Sequence, residues 1–151
     1  MDRFATELNE VLVDTYHIIE QVEEQAVKNT KSMDLSISEL HFLEAVGRDQ
    51  GKTVSDIAQS LNVTLPSVTN AVNKLVKKGY VTKEKGAADG RTVWVSLTRL
   101  GKKMCAAHRY FHAQMVRNIS AEFTDVEKEQ VLELMYKLNR FFQEKLRGME
   151  S

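Results

Sequence analysis

Hydrophobic positions along this chain recur mainly with the 3.6-residue period of helices, and in one short stretch with the two-residue period of a strand. From Asp2 to about Lys31, Phe4, Leu8, Val11, Leu12, Ile18, Ile19, Val22 and Ala26 fall on one stripe of a long helix. Ser36 followed by Glu39 predicts a capping box, which opens a helix with Leu40, Leu43 and Val46 inward and an end near Gly47. Arg48 to Lys52 reads as a connector. Thr53 with Asp56 then caps a short helix whose Val54, Ile57, Ala58 and Leu61 lie at i, i+3, i+4 and i+7, and Asn62 suits a left-handed turn after it. Thr64 caps the next helix, Pro66 sits in its first turn, where a missing N–H costs little, and Val68, Ala71, Val72, Leu75 and Val76 form its apolar stripe. Two short helices joined by a tight turn, Thr53 to Lys78, predict a helix-turn-helix.

Gly79 stops the second helix and Tyr80 to Lys85 turns extended. A polar tip follows, Gly86 to Arg91, after which Val93, Val95 and Leu97 alternate with Thr92, Trp94 and Ser96. This is a β-hairpin placed as a wing beside the motif. Thr98 caps a further helix with Met104, Ala107, His108, Phe111, His112, Met115 and Ile119 along one side. Thr124 and Glu127 open the last, which runs to about Arg147 with Val131, Leu134, Met135, Leu138, Phe141, Phe142 and Leu146 as its stripe. The expected fold is mainly α with a small β-hairpin wing, one domain over residues 1–151. Residues 36–97 form its winged helix-turn-helix lobe. Residues 1–31 and 98–147 offer more apolar surface than so small a lobe can cover, and a second copy is the simplest cover. A homodimer is the expectation.

The outer side of the helix after Thr64 carries Pro66, Asn70, Asn73, Lys74 and Lys77, flanked by Ser67 and Thr69, and no acid. A merely solvated face usually mixes both signs. Short hydrogen-bonding groups near the helix start with lysines near its end suit insertion into the major groove of double-stranded DNA. Thr64, Ser67, Thr69, Asn70 and Asn73 would read bases or position the helix, and Lys74, Lys77 and Lys83 would hold phosphate. Arg91, with Lys85 nearby on the wing, would enter a minor groove, with Asp89 orienting it. The alternative for that arginine is a solvated turn residue paired with Asp89.

Composition sharpens this. The 151 residues carry 21 basic and 21 acidic side chains, which argues against indiscriminate polyanion binding, but the charges are unevenly placed. Between Asn62 and Lys103 stand Lys74, Lys77, Lys78, Lys83, Lys85, Arg91, Arg99, Lys102 and Lys103 against Glu84 and Asp89 alone, while residues 1–36 carry eight acids against three bases. Only the middle is shaped to face nucleic acid. No apolar run is long enough for a bilayer and no basic-then-apolar leader opens the chain. A single cysteine, Cys105, cannot close an intramolecular disulfide. The cytoplasm is the expected compartment. No glycine-rich phosphate loop, nucleophile elbow or metal-protease helix is present, so no enzyme is expected. A winged helix used only for protein contacts is the alternative of another class, and the acid-free face speaks against it.

This order of elements resembles the MarR family of bacterial transcriptional regulators. The most specific likeness is the wing signature, an Asp and an Arg one residue apart before a Val-x-Leu-Thr strand end and a Gly, here Asp89-Gly90-Arg91 through Val95-Ser96-Leu97-Thr98 to Gly101. Gly90 stands where many members have a second arginine. The segments Val63 to Thr69, Lys78-Gly79-Tyr80-Val81 and His108 to Val116, with His41 in the helix before the motif, look like the FabT-like fatty-acid-biosynthesis repressor branch. That likeness implies control of fatty-acid synthesis genes, with acyl-acyl carrier protein as corepressor and no cofactor required.

His108 and His112, four apart on a helix, can share one metal ion, and His41 supplies a third nitrogen. Zinc-sensing members of the MarR family use a similar constellation, with Glu20, Glu23 or Glu24 to complete it. The other reading makes His41, His108, Phe111, His112 and Met115 part of an organic effector site, since a wall of Phe, Met and Leu suits an acyl chain better than an ion. Cys105 reads as a structural thiol rather than an oxidation sensor, and Trp94 as packing rather than base stacking.

Overall fold

The computed structural model describes residues 2–30, 34–48 and 50–150. Its elements run α1 (Arg3–Asn29), α2 (Ile37–Val46), β1 (Lys52–Thr53), α3 (Val54–Leu61), α4 (Leu65–Lys78), β2 (Val81–Lys85), β3 (Val93–Leu97), α5 (Arg99–Ala121) and α6 (Asp125–Glu150). They divide into two compact units, residues 1–107 and 108–151, with the boundary inside α5. The predicted end of the first helix at Lys31 lies outside the described residues.

In the first unit the caps are those that the side-chain spacing requires. Ser36 Oγ accepts from the Glu39 N–H at 3.1 Å and Glu39 Oε2 accepts from the Ser36 N–H at 3.0 Å, a reciprocal box that satisfies two otherwise orphaned donors at the start of α2. Thr53 Oγ1 does the same service for the Asp56 N–H at 3.1 Å. Helix α3 ends on Asn62 at φ 52° and ψ 49°, and α4 ends on Gly79 at φ 84°, both in the left-handed region that lets the chain reverse. Around the turn between them, the Val63 N–H returns to the Ala58 carbonyl at 3.0 Å.

Leu40, Leu43 and Val46 of α2, Ile57 of α3, Val68, Val72 and Leu75 of α4, and Val81 and Val95 of the sheet form one buried core. The sheet is antiparallel in the order β1-β3-β2, with Val81 opposite Leu97 and Lys83 opposite Val95. Its third strand was not expected. Lys52 and Thr53, read from sequence as connector and cap, pair with Val95 and Trp94. Gly51 makes that approach possible, because a Cβ there would run into Ser96 Oγ and come within 2.9 Å of the Val95 carbonyl oxygen. Thr98 joins the wing to the next helix, donating to the Gly79 carbonyl at 2.7 Å and accepting from the Gly101 N–H at 3.1 Å.

In the second unit α5 hands over to α6 through another capping box: Glu127 Oε2 accepts from the Thr124 N–H at 2.8 Å, and Thr124 Oγ1 from the Glu127 N–H at 3.3 Å. The last helix continues three residues past the predicted end at Arg147, to Glu150. No residue of α6 is buried. Among the described residues no helix is long and apolar enough to cross a membrane.

Candidate nucleic-acid interface

Helix α4 turns Val68, Val72 and Leu75 into the core, and this leaves Pro66, Ser67, Thr69, Asn70, Asn73 and Lys77 exposed on its other side. Its first turn is pinned by hydroxyls. Thr64 Oγ1 accepts from the Ser67 N–H at 3.3 Å and lies 2.8 Å from Ser67 Oγ, so the two side chains hold each other as well as the helix start. Pro66 fits beside them because a residue at this point has no helical acceptor for an N–H. Asn70 and Lys77 project to solvent further along the same side.

Two of the sequence-assigned residues are brought together. Lys83 Nζ, on β2, donates to Asn73 Oδ1 at 2.6 Å, which ties the wing to α4 and engages the acceptor rather than the donors of the Asn73 amide. A phosphate role for Lys83 and a base role for Asn73 therefore share one hydrogen bond. Lys74 differs more. The sequence shows no acid on its helix face, but α2 lays Glu39 alongside, with Lys74 Nζ 3.2 Å from Glu39 Oε1. Lys78 Nζ reaches the same carboxylate at 3.0 Å and the Asp34 carbonyl at 2.9 Å. Partial burial by itself would push the Glu39 carboxyl up, but the Ser36 N–H and the Lys78 and Lys74 ammonium groups outweigh it and hold that carboxyl below its ordinary value. The hydrogen bond to Glu39 in turn raises Lys78. This cluster anchors α4 to α2, and Lys74 belongs to it.

At the wing tip Asp89 works through the backbone. Its Oδ1 accepts from the Arg91 N–H at 2.9 Å and its Oδ2 from Thr92 Oγ1 at 3.3 Å, while the Thr92 carbonyl accepts from the Gly86 N–H at 2.7 Å. The carboxylate shapes the turn on which Arg91 stands exposed. Lys85, opposite Val93, is exposed on the same hairpin. A Cβ at Gly90 would meet nothing within 4 Å. Between the start of α4 and the wing runs an open groove of about 470 Å³, bordered by Thr53, Ser55, Leu65, Thr69, Arg91 and Thr92, with no acidic side chain among the described residues of its wall.

Residues 33–92 match the MarR family, a span that holds α2, the helix-turn-helix and most of the wing. The uncharacterized HTH-type transcriptional regulator YhjH of Bacillus subtilis is 26% identical over 106 residues, 70% of this chain and 61% of its own length, so the chain spans less than two thirds of that relative. The transcriptional regulator AdcR of Streptococcus pyogenes is 28% identical over 114 residues, 76% of each chain. The solved structure of Streptococcus pneumoniae FabT in complex with DNA superposes with a TM-score of 0.86 at 28% identity, covering 93% of this chain and 98% of that one. The chain belongs to the MarR family. As a MarR protein it is a DNA-binding transcriptional regulator, and its relatives are regulators rather than enzymes.

The sequence-assigned effector residues of this MarR chain fall in both units. In the first, His41 of α2 stands with its Nε2 4.0 Å from Oε2 of Glu23, one of the three acidic candidates of α1 and itself buried. In the second, His108 and His112 meet Nε2 to Nε2 at 3.1 Å with their rings edge to face, and Phe111 lies edge-on to His112 at 5.7 Å. One imidazole of that pair must donate and the other accept, so they cannot both be protonated on the facing nitrogens. Met115 is half-buried. Cys105 is buried, and Trp94 is exposed on β3 rather than packed inward.

Proposed function

We propose that this MarR regulator is a cytoplasmic, homodimeric repressor whose two α4 helices enter successive major grooves of a pseudo-palindromic operator, with Arg91 of each wing in the adjacent minor groove. The observation that carries this is the outer side of α4, where Asn70 and Lys77 stand exposed, without an acid in the helix, next to a wing tip whose Asp89 presents Arg91. Residues 36–97 supply the DNA contacts and the two terminal regions the dimer. One recognition helix reads only a few base pairs, and two of them supply the specificity that a genome demands. A gel-shift titration over several salt concentrations tests it. Replacing Asn70 with Ala is expected to cost about 1–3 kcal/mol at the operator, and replacing Lys77 with Ala to lower the salt slope by about one. Unchanged binding by both variants removes this surface from the mechanism.

The likeness to FabT over nearly the whole chain supports a finer reading, in which the operator lies before fatty-acid synthesis genes and acyl-acyl carrier protein is the effector. His41, His108, Phe111, His112 and Met115 are then the candidates for sensing it. One observation favours a second reading. Two imidazole nitrogens 3.1 Å apart are close to the edge of a zinc tetrahedron with bonds of about 2.0–2.1 Å, so His108 and His112 fit as a ligand pair, and a carboxylate beside His41 is the usual partner of a zinc-binding histidine. Bound zinc would hold both rings neutral and fixed. Native mass spectrometry of the purified protein separates the two: a retained acyl species supports the first, a retained metal the second. In operator binding, long acyl chains tighten the complex and chelators do nothing under the first reading, whereas chelation abolishes binding under the second.

A further inference from the structure

Leu65 is the first residue of the recognition helix and is half-exposed, at 51%, amid side chains assigned to polar contacts. A single exposed leucine is ordinary on a protein surface. This one has a particular setting. Thr64 and Ser67 on either side of it have turned their hydroxyls toward each other and the helix backbone, and Pro66 has no N–H to offer. The amino-terminal turn of α4 therefore presents mainly hydrocarbon at the point where a recognition helix meets base edges. Thr69, one turn on, continues the same wall, and Arg91 stands on the wing across the groove of about 470 Å³. Positive charge at the rim and a wall without an acid among the described residues match a polyanion, and the apolar feature that a duplex offers in its major groove is the thymine 5-methyl.

We infer that Leu65 is a specificity-determining residue that takes the methyl group of one thymine in each operator half-site. This rests on the DNA-reading role proposed above for α4. It adds a preference that Asn70 and the lysines cannot supply, because hydrogen bonds and phosphate contacts do not sense that methyl.

The test uses the full chain and a duplex obtained by selection from random sequence. Each thymine of the selected site is replaced singly by deoxyuridine, which removes only the methyl, and affinity is measured. The expected result is one position per half-site at which binding weakens roughly fourfold, the worth of one methyl group returned to water. Leu65→Ala should bind the unmodified site about as weakly and lose the sensitivity to deoxyuridine, while Leu65→Met, still apolar, should keep it. An unchanged melting temperature shows that neither variant acts through the fold. A wild-type protein indifferent to every deoxyuridine, or Leu65→Ala with the original sensitivity, overturns the inference while leaving the DNA-binding reading intact. Selection of no common sequence overturns both.

Discussion

In the winged lobe Leu40, Leu43, Val46, Ile57, Leu75 and Val95 have no solvent exposure, whereas α6 buries none of its residues and Phe141, Phe142 and Leu146 keep 52%, 51% and 56% of their surface open. Helix α1 behaves like α6 along much of its length, with Phe4 73% and Val11 63% exposed. The two regions carry apolar stripes of the same period, yet only the lobe closes upon itself. Its residues meet across short, capped helices and a small sheet. Each long terminal helix instead leaves large apolar side chains exposed along its length. The difference separates two kinds of stability: the lobe's comes from packing within one chain, while that of the long helices, on the reading proposed here, comes from a second copy.

The sharpest way to break that comparison is at α6. Replacing Phe141 and Phe142 together with Glu should leave the lobe folded but yield a protomer in sedimentation, and operator affinity should fall by roughly 100-fold or more, since a single half-site gives up most of the specific binding energy. A variant that stays dimeric shows that these rings face solvent in the assembly. The opposite experiment is Leu43→Ala, in the core of the lobe. Loss of a fully buried leucine should cost about 2–5 kcal/mol in unfolding, read by denaturant titration, with the oligomeric mass unchanged at temperatures where the chain is folded.

What could be read from the sequence follows the same division between near and far. Ser36, Thr53, Thr64, Thr98 and Thr124 were legible as helix starts because a cap joins residues three apart, and Asn62 and Gly79 were legible as stops because the left-handed conformation favours those residue types. Strand β1 was not legible, for two residues are too few to show alternation and their partners, Val95 and Trp94, lie some forty positions on. The same holds in the site. The outward set on α4 could be listed from its period, but that Lys74 would meet Glu39, or Asn73 meet Lys83, depends on how α2 and the wing pack against α4. Leu65 lies three residues before Val68 on the helical period of α4, and only its exposure shows that it stays out of the core.

The smallest expected effect lies at the joint between α2 and α4, and it should leave the dimer untouched. The Glu39 carboxyl is held below its ordinary value, so its contribution to folding is complete above the range where an unfolded glutamate titrates and is lost as pH falls through the lower, folded value. Glu39→Gln keeps the shape of the capping side chain but not the charge that Lys74 and Lys78 share. At neutral pH the variant should be less stable by no more than about 1 kcal/mol, because part of the cluster is open to water. Below the range where the folded carboxyl takes up its proton, wild type and variant should unfold alike. Thermal melts across the acid range read this directly. Equal stability of wild type and variant at every pH would mean that the glutamate contributes its shape alone, and that α2 holds α4 by packing rather than by charge.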